Sequence, residues 1–398
     1  MDFVWSDSFA RRVARFQGSA VREMFHWAQL PGIISLSAGS PAPELFPVEA
    51  FRQAANQVLD EDPVGALQYG ITEGYPPLRE WIAEHLRGKG ISVTADEVMI
   101  TTGSQQAMDL LVRVLFDAGD LVVVERPTFI ATLQALDTCE VEYLSAPMDG
   151  DGLIVDELAR RLDGRPKLIC AQPNFQNPSG VSLSLPRRRQ LAQLAAERHI
   201  AIVEDDPYSE LIYEGDALPS IKSFDQAGLS IYLGSFSKIL MPGIRVGWAA
   251  GPTAVLEKMA VVKQSNDLHT DGFMQRVVNL LVRNGQLPAH IDRIRKVYRE
   301  RRDVMLHAIA DHFPAEARYT QPRGGLFVWV ELPAEVDCGR FVRPAVERLV
   351  LFTPGAGFHR DGTGQNTMRL NFSNVEPDRI QEGVKRLGAV VKEQLTKT

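Results

Sequence analysis

The most reactive-looking segment of the chain is Ser235-Phe236-Ser237-Lys238, followed by Pro242-Gly243-Ile244-Arg245-Val246-Gly247-Trp248. An apolar run from Ile231 to Gly234 leads a lysine into a turn rich in Gly and Ser. That combination can hold an aldehyde-bearing phosphate ester twice: the amine as a Schiff base, and the phosphate through Ser235 and Arg245. The competing reading, a surface lysine in a flexible loop, carries less weight.

Four further segments carry complementary chemistry. Thr102-Gly103-Ser104-Gln105-Gln106 joins an apolar run to a helical pattern, and the free N–H groups of a helix start suit a phosphate. A Gly-Ser turn that merely caps the helix is the plainer reading. Val203-Glu204-Asp205-Asp206-Pro207-Tyr208 ends a buried run with carboxylates and a phenol. A carboxylate there can keep a pyridine nitrogen protonated, although acidic turns after strands are common. Pro173-Asn174-Phe175-Gln176-Asn177-Pro178-Ser179-Gly180 fixes the amide of Asn177 in a rigid turn. In Met368-Arg369-Leu370-Asn371-Phe372 an arginine interrupts an apolar strand, where its planar fork suits a carboxylate.

These segments need a scaffold that ends several strands at one place. Short β-branched runs begin near Val98, Leu121, Val141, Leu168, Ile200, Ile231 and Val246, with helical patterns between them such as Gln105–Phe116 and Pro186–Arg198. Alternation of this kind predicts an α/β domain with a mostly parallel, seven-stranded sheet covered on both faces. Its predicted extent is residues 46–284. Residues 285–398 read as a smaller α+β domain: an Arg-rich helix over Gln286–His312, a strand at Leu326–Leu332, a helix near Gly339–Arg348, a Gly/Pro loop from Thr353 to Gly364, and a strand at Met368–Phe372. Residues 1–45 are expected to join that smaller domain.

Bulk properties exclude several classes. The 398 residues are 45% hydrophobic and 23% charged, which suits a globular protein with large cores. A net charge of -7 disfavours nucleic acid as a partner. Cys139, Cys170 and Cys338 are sparse and unpaired in spacing, against a disulfide framework or a metal site. No apolar run is long enough for a membrane span or a signal peptide, so a cytoplasmic protein is expected.

The motifs, in their order along the chain, resemble the fold-type I aminotransferases of class I/II, which depend on pyridoxal 5'-phosphate (PLP). The resemblance runs from about Ser19 to Asn374 through GSQQ, ERPTF, QPNFQNPSG, EDDPY, GSFSK with PGIRVGW, and MRLNF. It implies that Lys238 carries the cofactor as a Schiff base and shuttles the proton. Asp205 pairs with the pyridine nitrogen. Tyr208 and Asn177 bond the phenolic oxygen, and Phe129 stacks on the ring. Gly103, Ser104, Gln105, Ser235, Ser237 and Arg245 form the phosphate site. Arg369 binds the substrate carboxylate beside Asn177. Tyr69, in QYGITEG, looks like the tyrosine that reaches into a neighbouring subunit, which implies a homodimer with shared sites. A cis Asn177–Pro178 bond is also expected by analogy.

The segments SAVREM at Ser19–Met24 and PAPELFP at Pro41–Pro47 are similar to the branch of 2-aminoadipate, kynurenine and aromatic aminotransferases. There, the arginine matching Arg22 contacts acidic side chains in some members; a helix-surface salt bridge is the alternative. Two departures stand out. Ala38-Gly39-Ser40 replaces the usual Gly-Gly-Leu at the substrate pocket, where Gly39 is a candidate contact, and Phe129 replaces a common tyrosine. The implied reaction is transfer of an amino group from an L-amino acid to an oxo acid such as 2-oxoglutarate. A lyase, decarboxylase or racemase on the same fold is the first alternative. A non-catalytic ligand sensor is the second, disfavoured because fewer than fifty residues precede the large domain.

Overall fold

The computed structural model describes residues 4–10, 12–13, 24 and 26–396. Its centre is a sheet with strands in the order Val98–Thr101, Gly247–Ala250, Ser230–Ser235, Ala201–Asp205, Leu168–Ala171, Leu121–Arg126, Glu142–Asp149 and Gly152–Leu153. The five strands from Ser230–Ser235 to Glu142–Asp149 run parallel, and Gly247–Ala250 is antiparallel to both its neighbours. The expected seven strands are therefore present. An eighth, the two-residue Gly152–Leu153, pairs antiparallel at the edge. Its shortness left no periodic pattern to read.

Strands of this sheet are buried on both faces: Leu168–Ala171 and Gly247–Ala250 inside it, and Val98–Thr101 at its edge, are buried along their whole length. Burial on both faces explains their continuous apolar sequence. Helices supply the covering layers. Gly103–Leu115 turns Ala107, Met108, Leu110 and Leu111 onto the sheet, where they meet Val122, Val124 and Leu233 in one cluster. Leu185–Arg198 lays Leu191, Leu194 and Ala195 against Ile169 and Ile202 on the other side. Proline in its first turn suits a helix start, where no N–H partner is needed.

The C-terminal region builds a four-stranded antiparallel sheet in the order Arg318–Tyr319, Phe327–Glu331, Thr367–Asn371 and Thr353–Pro354. The helices Leu287–His312 and Pro377–Leu395 pack beside it. Ile34–Ser35 pairs in parallel with Val350–Leu351, which ties that part of the early chain to this region. The expected loop Thr353–Gly364 opens with the two-residue strand Thr353–Pro354 and a short helical turn, Gly355–Phe358. Both Arg126–Pro127 and Asn177–Pro178 are cis.

Candidate active site

The parallel strands end around one cavity of about 480 Å³. The carboxyl ends of parallel strands are where such sheets place ligands, because the following loops diverge there. Ser104, Gln105, Phe129, Asn177, Asp205, Tyr208, Ser235, Ser237, Lys238, Arg245, Arg369 and Gly39 all line it. Residues far apart in sequence are thus brought together as the motif order implied.

Lys238 follows the strand Ser230–Ser235, and its Nζ donates to the Gly39 carbonyl at 2.9 Å. Removal from water, together with the positive charges of Arg369 and Arg245, brings its pKa down from 10.5 to about 8, against the opposing pull of Asp205. Asp205 is the last residue of Ala201–Asp205. Burial pushes its carboxyl up to about 6, while a hydrogen bond from Gln172 and the charge of Lys238 hold it from rising further. Tyr208 is buried nearby, and its phenol is pushed well above its ordinary range by burial.

Arg369 sits in the middle of Thr367–Asn371, opposite Trp329 and Thr353. It is buried, and its guanidinium lies between the rings of Phe327 and Phe358, 4.4 and 5.1 Å from their centres. Nη1 donates to Asn177 Oδ1 at 2.8 Å, and Nη2 donates to the Ser37 carbonyl at 2.6 Å. Its Nε is buried with no hydrogen-bond partner among the described residues. Burial lowers its pKa to about 10, so it stays cationic at neutral pH. A buried cation with no facing carboxylate and a free donor is complete only when an anion arrives.

The opposite end of the cavity is a cradle of backbone and hydroxyl groups. Ser235 Oγ donates to Ser237 Oγ at 2.9 Å and accepts from the Ser237 N–H at 3.1 Å. Ser104 and Gln105 open the helix Gly103–Leu115, whose first N–H groups point outward. Two glycines keep this cradle open. Gly103 has φ +73°, and a Cβ on it would lie 2.5 Å from Arg245 Nη2. A Cβ on Gly247 would lie 2.6 Å from the Ser104 nitrogen. Gly103 itself does not line the cavity and serves by leaving room for Arg245. An amine, a ring-nitrogen partner, a phosphate cradle and a carboxylate fork in one cavity fit PLP and an amino acid together.

One expected contact is not made within this chain. Tyr69 is 79% exposed and outside the cavity, its ring edge-on to His269 with centres 5.8 Å apart. Arg22 lies outside the described residues. Other lining groups were assigned no role from the sequence. Gln172 opens the QPNFQNPSG motif at the end of the strand Leu168–Ala171 and donates to Asp205. Phe358 came from a loop legible only as Gly-rich. Met24, Ala28, Ile130, Ala131 and Gln134 form a further part of the wall, with Ser37, Ser40 and Thr353 beside them, and nothing in their spacing marks it.

Comparison with known proteins agrees with this geometry. Residues 31–387 match the family model described as aminotransferase class I and II. The aromatic-amino-acid aminotransferase 1 of Thermococcus litoralis is 41% identical, over 98% of this chain and 95% of its own length. The α-aminoadipate aminotransferase of Thermus thermophilus, solved with N-(5'-phosphopyridoxyl)-L-leucine, superposes with a TM-score of 0.93 at 40% identity, covering 100% of both chains. The kynurenine aminotransferase of Pyrococcus horikoshii, solved with PMP, superposes with a TM-score of 0.94 at 42% identity over 98% of both. The cavity and these matches lead to one conclusion: this chain belongs to the class I and II aminotransferases.

Proposed function

We propose that the chain transfers the amino group of an L-amino acid to a 2-oxo acid, with 2-oxoglutarate as the acceptor, using PLP held by Lys238. The observation that carries this reading is that Lys238, Asp205 and the anion-seeking Arg369 line one cavity, close enough for the charges of both to act on the lysine. PLP, when bound, supplies the electron sink for the charge left at Cα once its proton is removed.

The chain's own residues do the rest. Ser104, Gln105, Ser235, Ser237 and Arg245 hold the phosphate. Asp205 keeps the proton on the ring nitrogen, Tyr208 and Asn177 bond the phenolic oxygen, and Phe129 covers the ring face. Arg369 grips the α-carboxylate bidentately beside Asn177, which fixes the Cα–H bond relative to Lys238. Lys238, with a pKa near the operating pH, removes the proton at Cα and returns it on the cofactor side. The side-chain wall of Met24, Ala28, Ile130, Ala131 and Phe358 is apolar, with the Gln134 amide as a polar point. It suits an aromatic, kynurenine-like or branched donor. Glutamate or 2-aminoadipate would draw on Arg22.

Exposed Val64, Leu67, Tyr69 and Ile71 support a homodimer in which Tyr69 reaches the neighbouring phosphate and substrate site, because a second copy would cover this apolar stretch. We assign residues 46–284 to the cofactor-binding domain, and residues 1–45 with 285–398 to the smaller one. Among the described residues no helix is long and apolar enough to cross a membrane, which accords with a cytoplasmic enzyme.

The kinetic test is to vary donor and 2-oxoglutarate together. Parallel double-reciprocal lines with equal yields of the donor's 2-oxo acid and glutamate are expected; intersecting lines, or release of carbon dioxide, would overturn the reading. Replacing Arg369 with lysine should raise KM for the donor by about 10- to 100-fold, since a point charge cannot reproduce the fork. A steady-state KM close to that of wild type would remove Arg369 from carboxylate binding.

Capture of the cofactor should also be pH-dependent. Only the neutral amine attacks the aldehyde. With a pKa of about 8, Lys238 is neutral in about one molecule in ten at pH 7, and the neutral share grows as pH rises. Stopped-flow absorbance on cofactor-free protein should therefore show the capture rate climbing through pH 8 and levelling above it. A rate still climbing steeply at pH 10 would mean an unperturbed lysine.

A further inference from the structure

The amide of Gln172 is used at both ends. In the register of the sheet Ala171 lies opposite Glu204, so Gln172, the next residue, falls beside Asp205. Its Nε2 donates to Asp205 Oδ2 at 2.6 Å. Its Oε1 accepts from the Asn177 N–H at 2.7 Å. Asn177 in turn accepts from Arg369 through its own side chain, at 2.8 Å. A continuous path of three hydrogen bonds therefore joins Arg369 to Asp205.

The path is held from below. Glu125, buried at the end of Leu121–Arg126, accepts through one oxygen from the Gln172 N–H at 3.3 Å and from Gln176 Nε2 at 3.1 Å. Gln176 Oε1 accepts from the N–H and the hydroxyl of Ser179, at 2.9 and 2.7 Å. The loop that carries Asn177 is thereby fixed at both edges, and Gln172 is 6% exposed. An amide held this way has little freedom to swing. A shift of Asn177 as Arg369 takes up a carboxylate would then be transmitted through Oε1 to the geometry of the Nε2 donor.

We propose that Gln172 is a positioning residue that couples the carboxylate site at Arg369 to Asp205, so that seating an amino acid carboxylate strengthens the hold of Asp205 on the cofactor's ring nitrogen. The proposal rests on the reading of Asp205 and Arg369 given above. It assigns to Gln172 the donor bond that favours the charged form of Asp205, and to the loop the role of transmitting substrate binding. The charged carboxylate is the form that keeps a proton on the ring.

The test uses the holoenzyme reconstituted with PLP labelled with nitrogen-15 in the ring. The ring-nitrogen chemical shift is read with and without 3-phenylpropionate, a carboxylate that has no amino group to react. Wild type should show a protonated-range signal that moves when 3-phenylpropionate is added. In Gln172→Met, similar in bulk but without the amide, that movement should fall to less than about a third, while the dissociation constant of 3-phenylpropionate changes less than about threefold. Gln172→Leu, a second apolar side chain of different shape that also lacks the donor, should behave likewise, which guards against a folding defect in the first variant. An undiminished response in either folded variant would overturn the coupling. A protonated-range wild-type signal that does not move when 3-phenylpropionate binds would overturn the coupling as well, whereas a wild-type ring nitrogen in the unprotonated range, or no binding of 3-phenylpropionate, would instead remove the underlying reading of the site. A purely structural role for Gln172 would lower the unfolding temperature and leave the response unchanged.

Discussion

Replacing Lys238 with alanine is expected to lower turnover by about 10⁴-fold or more, because the proposed function gives one side chain two tasks. In that proposal it holds the cofactor covalently and moves the proton at Cα; a positioned acid–base group alone contributes about 10²–10⁴-fold. The lowered pKa of about 8 suits it to the second task, since the amine is a usable base at neutral pH and its conjugate acid is still able to give the proton back. The cradle of Ser235, Ser237 and Arg245 does not depend on the lysine for its position, so the variant should still take up the cofactor. Two measurements separate the roles. Borohydride reduction followed by intact mass should fix the cofactor to wild type and not to the variant. Single-turnover rates should then give the size of the loss, and a small amine such as methylamine, able to enter the vacated space, should restore part of it. Turnover within about tenfold of wild type would remove Lys238 from the chemistry.

Asp205→Asn is expected to produce the next largest loss, about 10²–10³-fold in turnover, through the ring nitrogen rather than through substrate binding. An asparagine amide cannot keep a proton on that nitrogen. The same substitution should change stability in the opposite direction. In the cofactor-free protein the Asp205 carboxyl titrates near 6, above its ordinary 3.8, because burial disfavours its charge. Between those two pH values the folded chain binds a proton that the unfolded chain has lost. This group's contribution therefore declines as pH rises from about 4 to 6 and stays reduced above that. Removing the carboxylate recovers the difference, on the order of 3 kcal/mol at neutral pH. Scanning calorimetry at pH 7.5 should find the cofactor-free variant unfolding at a higher temperature than cofactor-free wild type. Equal or lower stability would show that Asp205 is better satisfied than its surroundings indicate.

Most of the site was legible because its groups lie at strand ends, where sequence leaves a mark. Lys238, Asp205 and Asn177 each follow a short apolar run, and Arg369 interrupts one. Chemistry and strand pattern reinforce each other at those positions. Gln172 occupies an equivalent position but is an ordinary amide. Its importance lies in the partners that the sheet register gives it, and the register is a property of pairing rather than of one segment. Glu125 opens the ERPTF motif but was assigned no role for a related reason: only packing shows it buried and bonded to Gln172 and Gln176, with its pKa raised to about 8 by burial. Phe358 and the wall around Ile130 come from segments with no periodicity. Tyr69 illustrates a different limit, since a residue that acts on a neighbouring copy has no partner in its own chain. The two-residue strands Gly152–Leu153 and Thr353–Pro354 are too short for any alternation to be read. The start of the first covering helix at Gly103, two residues earlier than its apolar pattern, reflects a glycine whose positive φ opens the helix.

The central claim is tested most directly by a half-reaction. Holoenzyme is mixed with a single L-amino acid, phenylalanine or kynurenine first and then glutamate and 2-aminoadipate, with no oxo acid present. The account predicts that the visible absorbance of the bound cofactor gives way to that of its amine form, with one equivalent of the corresponding 2-oxo acid released per site, and that 2-oxoglutarate restores the original spectrum. Persistence of the original absorbance with every donor, or its loss accompanied by carbon dioxide or a D-amino acid in place of the 2-oxo acid, would contradict it.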